Sequence, residues 1–81
     1  MKRKLIFDEK NLRLLANRLK EVRDEKKISQ EELAYRSNLA LSQIARIETL
    51  RINPTISTIF CICKALEIKP SQLLDFDLLL D

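Results

Sequence analysis

The sequence predicts an all-α domain of five helices behind a short N-terminal extension. Three observations predict it. Apolar residues recur at helical spacing, as in Leu12, Leu15, Leu19 and Val22. Residues suited to helix ends punctuate the chain at short intervals: Asp8 or Asn11, Ser29, Asn38, Thr55 and Ser71. The size and balance are those of one globular domain: 81 residues, 46% hydrophobic and 33% charged, near the size where a single core is just adequate. The expected division is 1–7 as extension, 8–76 as domain and 77–81 as an apolar tail.

In the extension, Lys2, Arg3 and Lys4 form either an arm along a nucleic acid or a solvated tail. Leu5, Ile6 and Phe7 have strand-like composition and can pack on the domain or on a second subunit. Asp8 or Asn11 caps the first helix, which should run to about Lys26. Its buried stripe is Leu12, Leu15, Leu19 and Val22 with Ala16 beside it, leaving Arg13, Arg18, Lys20 and Glu21 outside. Ser29-Gln30-Glu31-Glu32 has the form of a capping box and opens a second helix carrying Leu33 and Ala34. That helix should stop near Ser37, because Asn38 suits a left-handed backbone. A third helix resumes at about Leu41, with Ile44 and Ile47 on its buried side. Two short helices joined by a tight turn are the pattern of a DNA-binding helix-turn-helix.

Pro54 ends the following loop, and Thr55 caps a fourth helix. Ile56, Ile59, Phe60, Ile62, Cys63 and Leu66 make that helix the most apolar, as a central core element would be. Glu67 to Pro70 turn the chain, and Ser71 can cap a fifth helix containing Leu73, Leu74 and Phe76. Continued at helical spacing, Leu73, Phe76 and Leu80 fall on one side, Leu74 and Leu78 on another, and Leu79 on the far side. A helix apolar all round must be buried on more than one face. Leu74, Phe76, Leu78, Leu79 and Leu80 are therefore the expected homodimer contact; the alternative is a frayed tail.

The third helix decides between a groove reader and a plain helical hairpin. At about 100° per residue, Ser42, Ala45, Arg46 and Thr49 oppose Ile44 and Ile47, with Leu41 and Gln43 at the borders. A short, polar face with one arginine suits a major groove, where Arg or Gln can bond base edges. It also suits an ordinary solvated face.

Several linked motifs go further. Ser29-Gln30-Glu31-Glu32-Leu33-Ala34, then Ile44-Ala45-Arg46-Ile47-Glu48, then Asn53-Pro54-Thr55 and Ala65-Leu66-Glu67-Ile68, occur in that order. The chain resembles the Xre-type (Cro-like, phage-repressor class) helix-turn-helix regulators over roughly residues 12 to 75. The resemblance implies a five-helix domain that binds duplex DNA, regulates transcription and pairs as a homodimer. It implies that Gln30, Leu41, Ser42, Gln43, Ala45 and Arg46 face bases or the groove floor, and that Thr49, Arg51 and Asn53 meet phosphates. It also implies that Arg23 reaches Glu48, as a guanidinium–carboxylate pair tying the first helix to the end of the third. Three residues depart from the family pattern. Asn38 and Leu50 stand where glycine is usual, and Ala40 where Ser or Thr caps the third helix. The chain contains no glycine, which predicts an altered path for the loop after Glu48. Phage repressors, restriction-modification controllers and antitoxins are the small regulators of this kind. The competing class is a protein-interaction module, or an antitoxin, that uses the same fold on a protein partner.

Other chemistries find little support. There is no histidine, no glycine-rich phosphate loop and no nucleophile beside an evident base, so no enzyme and no cofactor is expected. Cys61 and Cys63 point about 200° apart on a helix, against an internal disulfide, and two thiols are too few for a four-ligand zinc site. Free thiols suit a reducing cytoplasm. The net charge of +3 and pI near 9.1 permit nucleic acid without requiring it. No apolar run is long enough for a membrane span, and Leu5-Ile6-Phe7 is too short for a signal-peptide core.

Overall fold

The computed structural model describes residues 6–81. Of the extension, Met1 to Leu5 therefore lie outside the described residues, and with them the basic run Lys2 to Lys4. Five helices follow: α1 Glu9–Lys26, α2 Gln30–Ser37, α3 Leu41–Glu48, α4 Ile56–Leu66 and α5 Pro70–Leu73. No strand occurs among the described residues.

Local chemistry sets most boundaries. The Asp8 side chain accepts the Asn11 N–H at 3.2 Å and starts α1. Ser29 Oγ accepts the Glu32 N–H at 3.0 Å and starts α2. The reciprocal half of that capping box is not made: the Glu32 carboxylate takes Arg36 Nε at 2.8 Å instead. A charged partner one turn along outcompetes a neutral N–H. Asn38 closes α2 at φ 59. Thr55 Oγ1 accepts the Thr58 N–H at 3.1 Å and starts α4.

The core is the meeting of these helices. Leu19, Leu33, Ile44, Ile62, Leu66 and Leu73 are the largest fully buried side chains, one or more from every helix. Burying each contributes about 1.5–3 kcal/mol. α2 packs on α3 and α4, while α1 lies against α3, α4 and α5. The α1 stripe sits as expected, with Leu15, Ala16, Leu19 and Val22 buried and Leu12 half-buried. Arg18 differs from its expected place outside. It is half-buried, donates from Nε to the Gln72 carbonyl at 2.7 Å, and pairs with Glu21, so it ties α5 to α1. α4 is less central than expected, since Ile56 and Phe60 are exposed and only its other face is core.

The C-terminal end departs most. α5 is four residues long, begins with Pro70, and is closed at its start by Gln72 Oε1 accepting the Lys69 N–H at 2.8 Å rather than by Ser71. Leu74 ends it, and Phe76 lies beyond it. Residues 74–81 are not helical, so the helical faces expected for Leu74, Phe76, Leu78, Leu79 and Leu80 do not exist. Asp75 and Asp77 sit where a helix C-terminus carries negative partial charge, and tertiary bonds compete with continuation. The segment folds back on α1. Asn11 Nδ2 donates to the Leu79 carbonyl at 2.9 Å, and the Leu79 N–H donates to Asn11 Oδ1 at 2.8 Å. The tail is docked along its main chain, not frayed.

Candidate nucleic-acid interface

α3 is held from behind. Ile44 and Ile47 enter the core, and Glu48 is buried with them. Leu41, Ser42, Arg46 and Thr49 are exposed on the other side, with Gln43 and Ala45 half-buried between. The helix presents a shallow outer face because Ile44 and Ile47 point inward and Leu41 stands only at its start. Ala40 precedes it in extended conformation and provides no side-chain cap.

The buried carboxylate of Glu48 sets the position of this helix. Its side chain is 2% exposed and that of Arg23 is 13%. Arg23 Nε donates to Glu48 Oε2 at 2.7 Å and Nη2 to Oε1 at 2.9 Å, the two-pronged fit of a planar guanidinium on a carboxylate. Arg23 Nη1 also donates to the Ile28 carbonyl at 3.0 Å. The Glu48 bond is the main cause that holds the Arg23 pKa above its ordinary value. The pair thus joins α1, the α1–α2 turn and the end of α3.

Gln30 completes the network, a role that spacing in the sequence does not reveal. Its Nε2 donates to Glu48 Oε1 at 2.8 Å. The amide oxygen cannot face a carboxylate, so the orientation is set by the network. Oε1 and one N–H remain for a further partner at the start of α2. A residue expected to face DNA therefore also braces the helix expected to enter the groove.

The loop after α3 closes without glycine. Leu50 takes φ 62. The Arg51 N–H reaches the Arg46 carbonyl at 2.8 Å, and the Leu50 N–H the Ile47 carbonyl at 3.4 Å. This is the helix closure that glycine normally makes, so the altered path expected here is not taken. Arg46 and Arg51 are exposed, and neither has a carboxylate partner among the described residues. Thr49 Oγ1 donates back to the Ala45 carbonyl at 2.8 Å, which occupies its proton. Asn53 is exposed and donates to the Ile6 carbonyl at 3.4 Å, a long bond that a better acceptor can replace.

No group of three metal-ligating side chains occurs among the described residues. Cys61 is half-buried and Cys63 buried. Burial pushes the Cys63 thiol up, which keeps it protonated. No helix is long and apolar enough to cross a membrane among the described residues.

Known proteins resemble this chain in sequence and in fold. An immunity repressor protein of Bacillus phage phi105 is 39% identical over 59 residues, which cover 73% of this chain and 41% of that protein. The chain thus spans about two-fifths of the length of that relative. The restriction-modification controller protein C.AhdI from Aeromonas hydrophila is 34% identical, with a TM-score of 0.76 over 79% of this chain and 97% of its own. The controller C.Esp1396I, solved as a tetramer in complex with its natural 35 base-pair operator, is 35% identical, with a TM-score of 0.75 over 80% of this chain and 86% of its own. The model of the family described as Helix-turn-helix (HTH_3) matches residues 19–73. With two-thirds of its length matched, two helices joined by a three-residue turn and a braced third helix, the chain belongs to the helix-turn-helix family.

Proposed function

We propose that this chain is a sequence-specific regulator of transcription that binds duplex DNA as a homodimer on a near-palindromic operator. The observation that carries it is the outward face of α3. It is short and polar, bears an unpaired Arg46 among the described residues, and is held rigid by Arg23, Glu48 and Gln30. Laid in a major groove, Arg46 can bond guanine O6 and N7 with both arms of its guanidinium. Ser42 and Gln43 can bond base edges, and Leu41 and Ala45 can meet a thymine methyl. Arg51 and Asn53 then lie in the loop that flanks the groove, where cation and amide suit phosphate oxygens. Thr49 reaches a phosphate only by giving up its bond to Ala45. The operator complex of C.Esp1396I supports the same use of the fold. We place the protein in the cytoplasm, where DNA is at hand and two free thiols stay reduced. It performs no catalytic step.

Fluorescence anisotropy against a random-sequence duplex pool, followed by rounds of selection, tests this. Enrichment of a near-palindrome bound well above the pool is the expected result. A chain that selects no sequence and binds duplex no better than its charge allows would overturn it, in favour of a protein-interaction module or an antitoxin that acts on a protein partner.

A further inference from the structure

Asn11 has no part in the helix-turn-helix, yet its side chain is fully engaged. Nδ2 donates to Asp8 Oδ2 at 2.8 Å and to the Leu79 carbonyl at 2.9 Å. Oδ1 accepts the Leu79 N–H at 2.8 Å. Lys10 Nζ adds a bond to the Asp81 carbonyl at 3.1 Å. The N-cap aspartate thus aims a carboxamide that pairs with the N–H and C=O of one residue, as a neighbouring strand would. Only main-chain atoms of the tail are read. Its side chains stay outside: Leu78 is 63% exposed and Leu80 93%. Ordering an apolar segment without burying it is unfavourable by itself.

We infer that Asn11 and Lys10 form a clamp that parks residues 78–81 on α1 so that a second copy of this chain can dock on the parked leucines. The inference rests on the homodimer proposed above and names the surface that makes it. Three features point to a second copy as the occupant. Of the ten exposed large apolar side chains among the described residues, six lie in the two segments brought together here: Ile6, Phe7, Leu74, Leu78, Leu79 and Leu80. Both signs of charge are present beside them, Lys10 with Asp77 and Asp81, so the patch can meet itself across a two-fold axis. An apolar groove of about 220 Å³ lies where the tail crosses α1, and Asn53 lines it together with Ile6, Leu74 and Leu78. A copy seated there is beside Asn53, in the loop that also carries Arg51. Asn11 is a positioning residue in this scheme: it touches the tail, not the partner.

Sedimentation equilibrium and amide hydrogen exchange, run on the same samples, test the clamp. In wild type the Leu79 N–H should be protected and the protein dimeric at micromolar concentration. Asn11→Ala should lose that protection and weaken the dimer at least tenfold. Its backbone N–H still has the Asp8 cap, so α1 should still form. Leu79→Pro removes the N–H from the tail side without touching α1, and should weaken the dimer in the same way. If Asn11→Ala fails to fold, as circular dichroism would show, Leu79→Pro decides. An unchanged dimer constant in Leu79→Pro, or in an Asn11→Ala that has lost the Leu79 protection, overturns the clamp's role and leaves the homodimer standing. A wild type that stays monomeric at hundreds of micromolar overturns both.

Discussion

Four residues other than glycine hold the left-handed backbone among the described residues: Lys27, Asn38, Leu50 and Glu67, at φ between 56 and 62. Three of them close helices by the same pair of bonds. Ile28 reaches back to Arg23, Arg51 to Arg46 and Ile68 to Cys63, with the left-handed residue itself bonded three positions back. A side chain in that region costs about 1–2 kcal/mol, so each closure carries strain that glycine would remove. Lys27 and Glu67 are exposed and lose little packing on replacement. Lys27 complements the negative end of α1, whereas Glu67 opposes that of α4. Glu67→Gly should therefore raise stability by about 1 kcal/mol, net of the extra chain entropy of glycine, and Lys27→Gly by less. Thermal melting checks the order: a larger gain for Lys27→Gly would contradict the dipole argument. Leu50→Gly should be near neutral, because Leu50 is half-buried. At Glu48 the stakes are larger. Glu48→Ala leaves Arg23 and Gln30 facing a vacated buried site, and breaking such a pair destabilises by about 3–5 kcal/mol. Its melting temperature should fall steeply even without DNA; an unchanged value would show the network to be dispensable. Asp8 gives a pH signature. The bonds from the Asn11 side chain and backbone hold its pKa below the ordinary 3.8. A lowered folded value means the Asp8 contribution is present above the ordinary carboxylate range and lost as pH falls through the folded value. Asp8→Ala should therefore melt below wild type at neutral pH, with the gap closing in acid.

At the scale of the element, legibility follows the range of the forces. α1 to α4 are set by neighbours a few residues away: a cap at Asp8, Ser29 or Thr55, an apolar stripe, and a stop such as Asn38. Those signals are in the sequence, and they place the helices. α5 and the tail are set by Arg18 across 54 positions and Asn11 across 68, and no local pattern announces either. The leucines of the tail read as helix because their spacing permits one; main-chain bonds to Asn11 decide otherwise. The same holds within the interface. The Ile44 and Ile47 face is legible from periodicity and the Arg23–Glu48 pair from family resemblance. Gln30 in that pair is legible from neither, because a glutamine at the start of a helix has no preferred distant partner. Element roles also separate Arg46 from Arg51. Arg46 projects from α3, and its loss should weaken specific binding by about 1–3 kcal/mol and relax preference at one base position. Arg51 projects from the loop, and its loss should weaken binding on all sequences and make the salt dependence shallower by roughly 1 unit. Binding titrations across salt and across single-base operator variants distinguish them; equal effects on specific and non-specific DNA from both variants would refute the division.

The whole molecule sets how much DNA one copy can read. α3 has eight residues, about 12 Å of helix at 1.5 Å per residue, enough to span about 3–4 base pairs. One such contact cannot single out an operator from a genome. Two can, if they are held a fixed distance apart. Successive major-groove faces recur about every 34–36 Å along one side of the duplex. The protomer measures 44 × 26 × 19 Å and carries one helix of this kind among the described residues, so in the homodimer proposed above the second reader comes from the second copy. If the apolar patch at the tail joins the copies rigidly, the spacing between half-sites cannot change. Inserting five base pairs at the operator centre rotates one half-site by about half a turn and moves it about 17 Å; inserting ten restores the face but moves it about 34 Å. A rigid dimer should lose tight binding to both, each falling to the affinity of an isolated half-site. Two independent monomers would tolerate both insertions equally. Copies joined through a flexible tail would recover on the ten-base-pair insertion but not the five. Gel shifts on the three operators therefore read the stiffness of the join as well as its existence, and full affinity for the ten-base-pair insertion would exclude a rigid contact at residues 78–81.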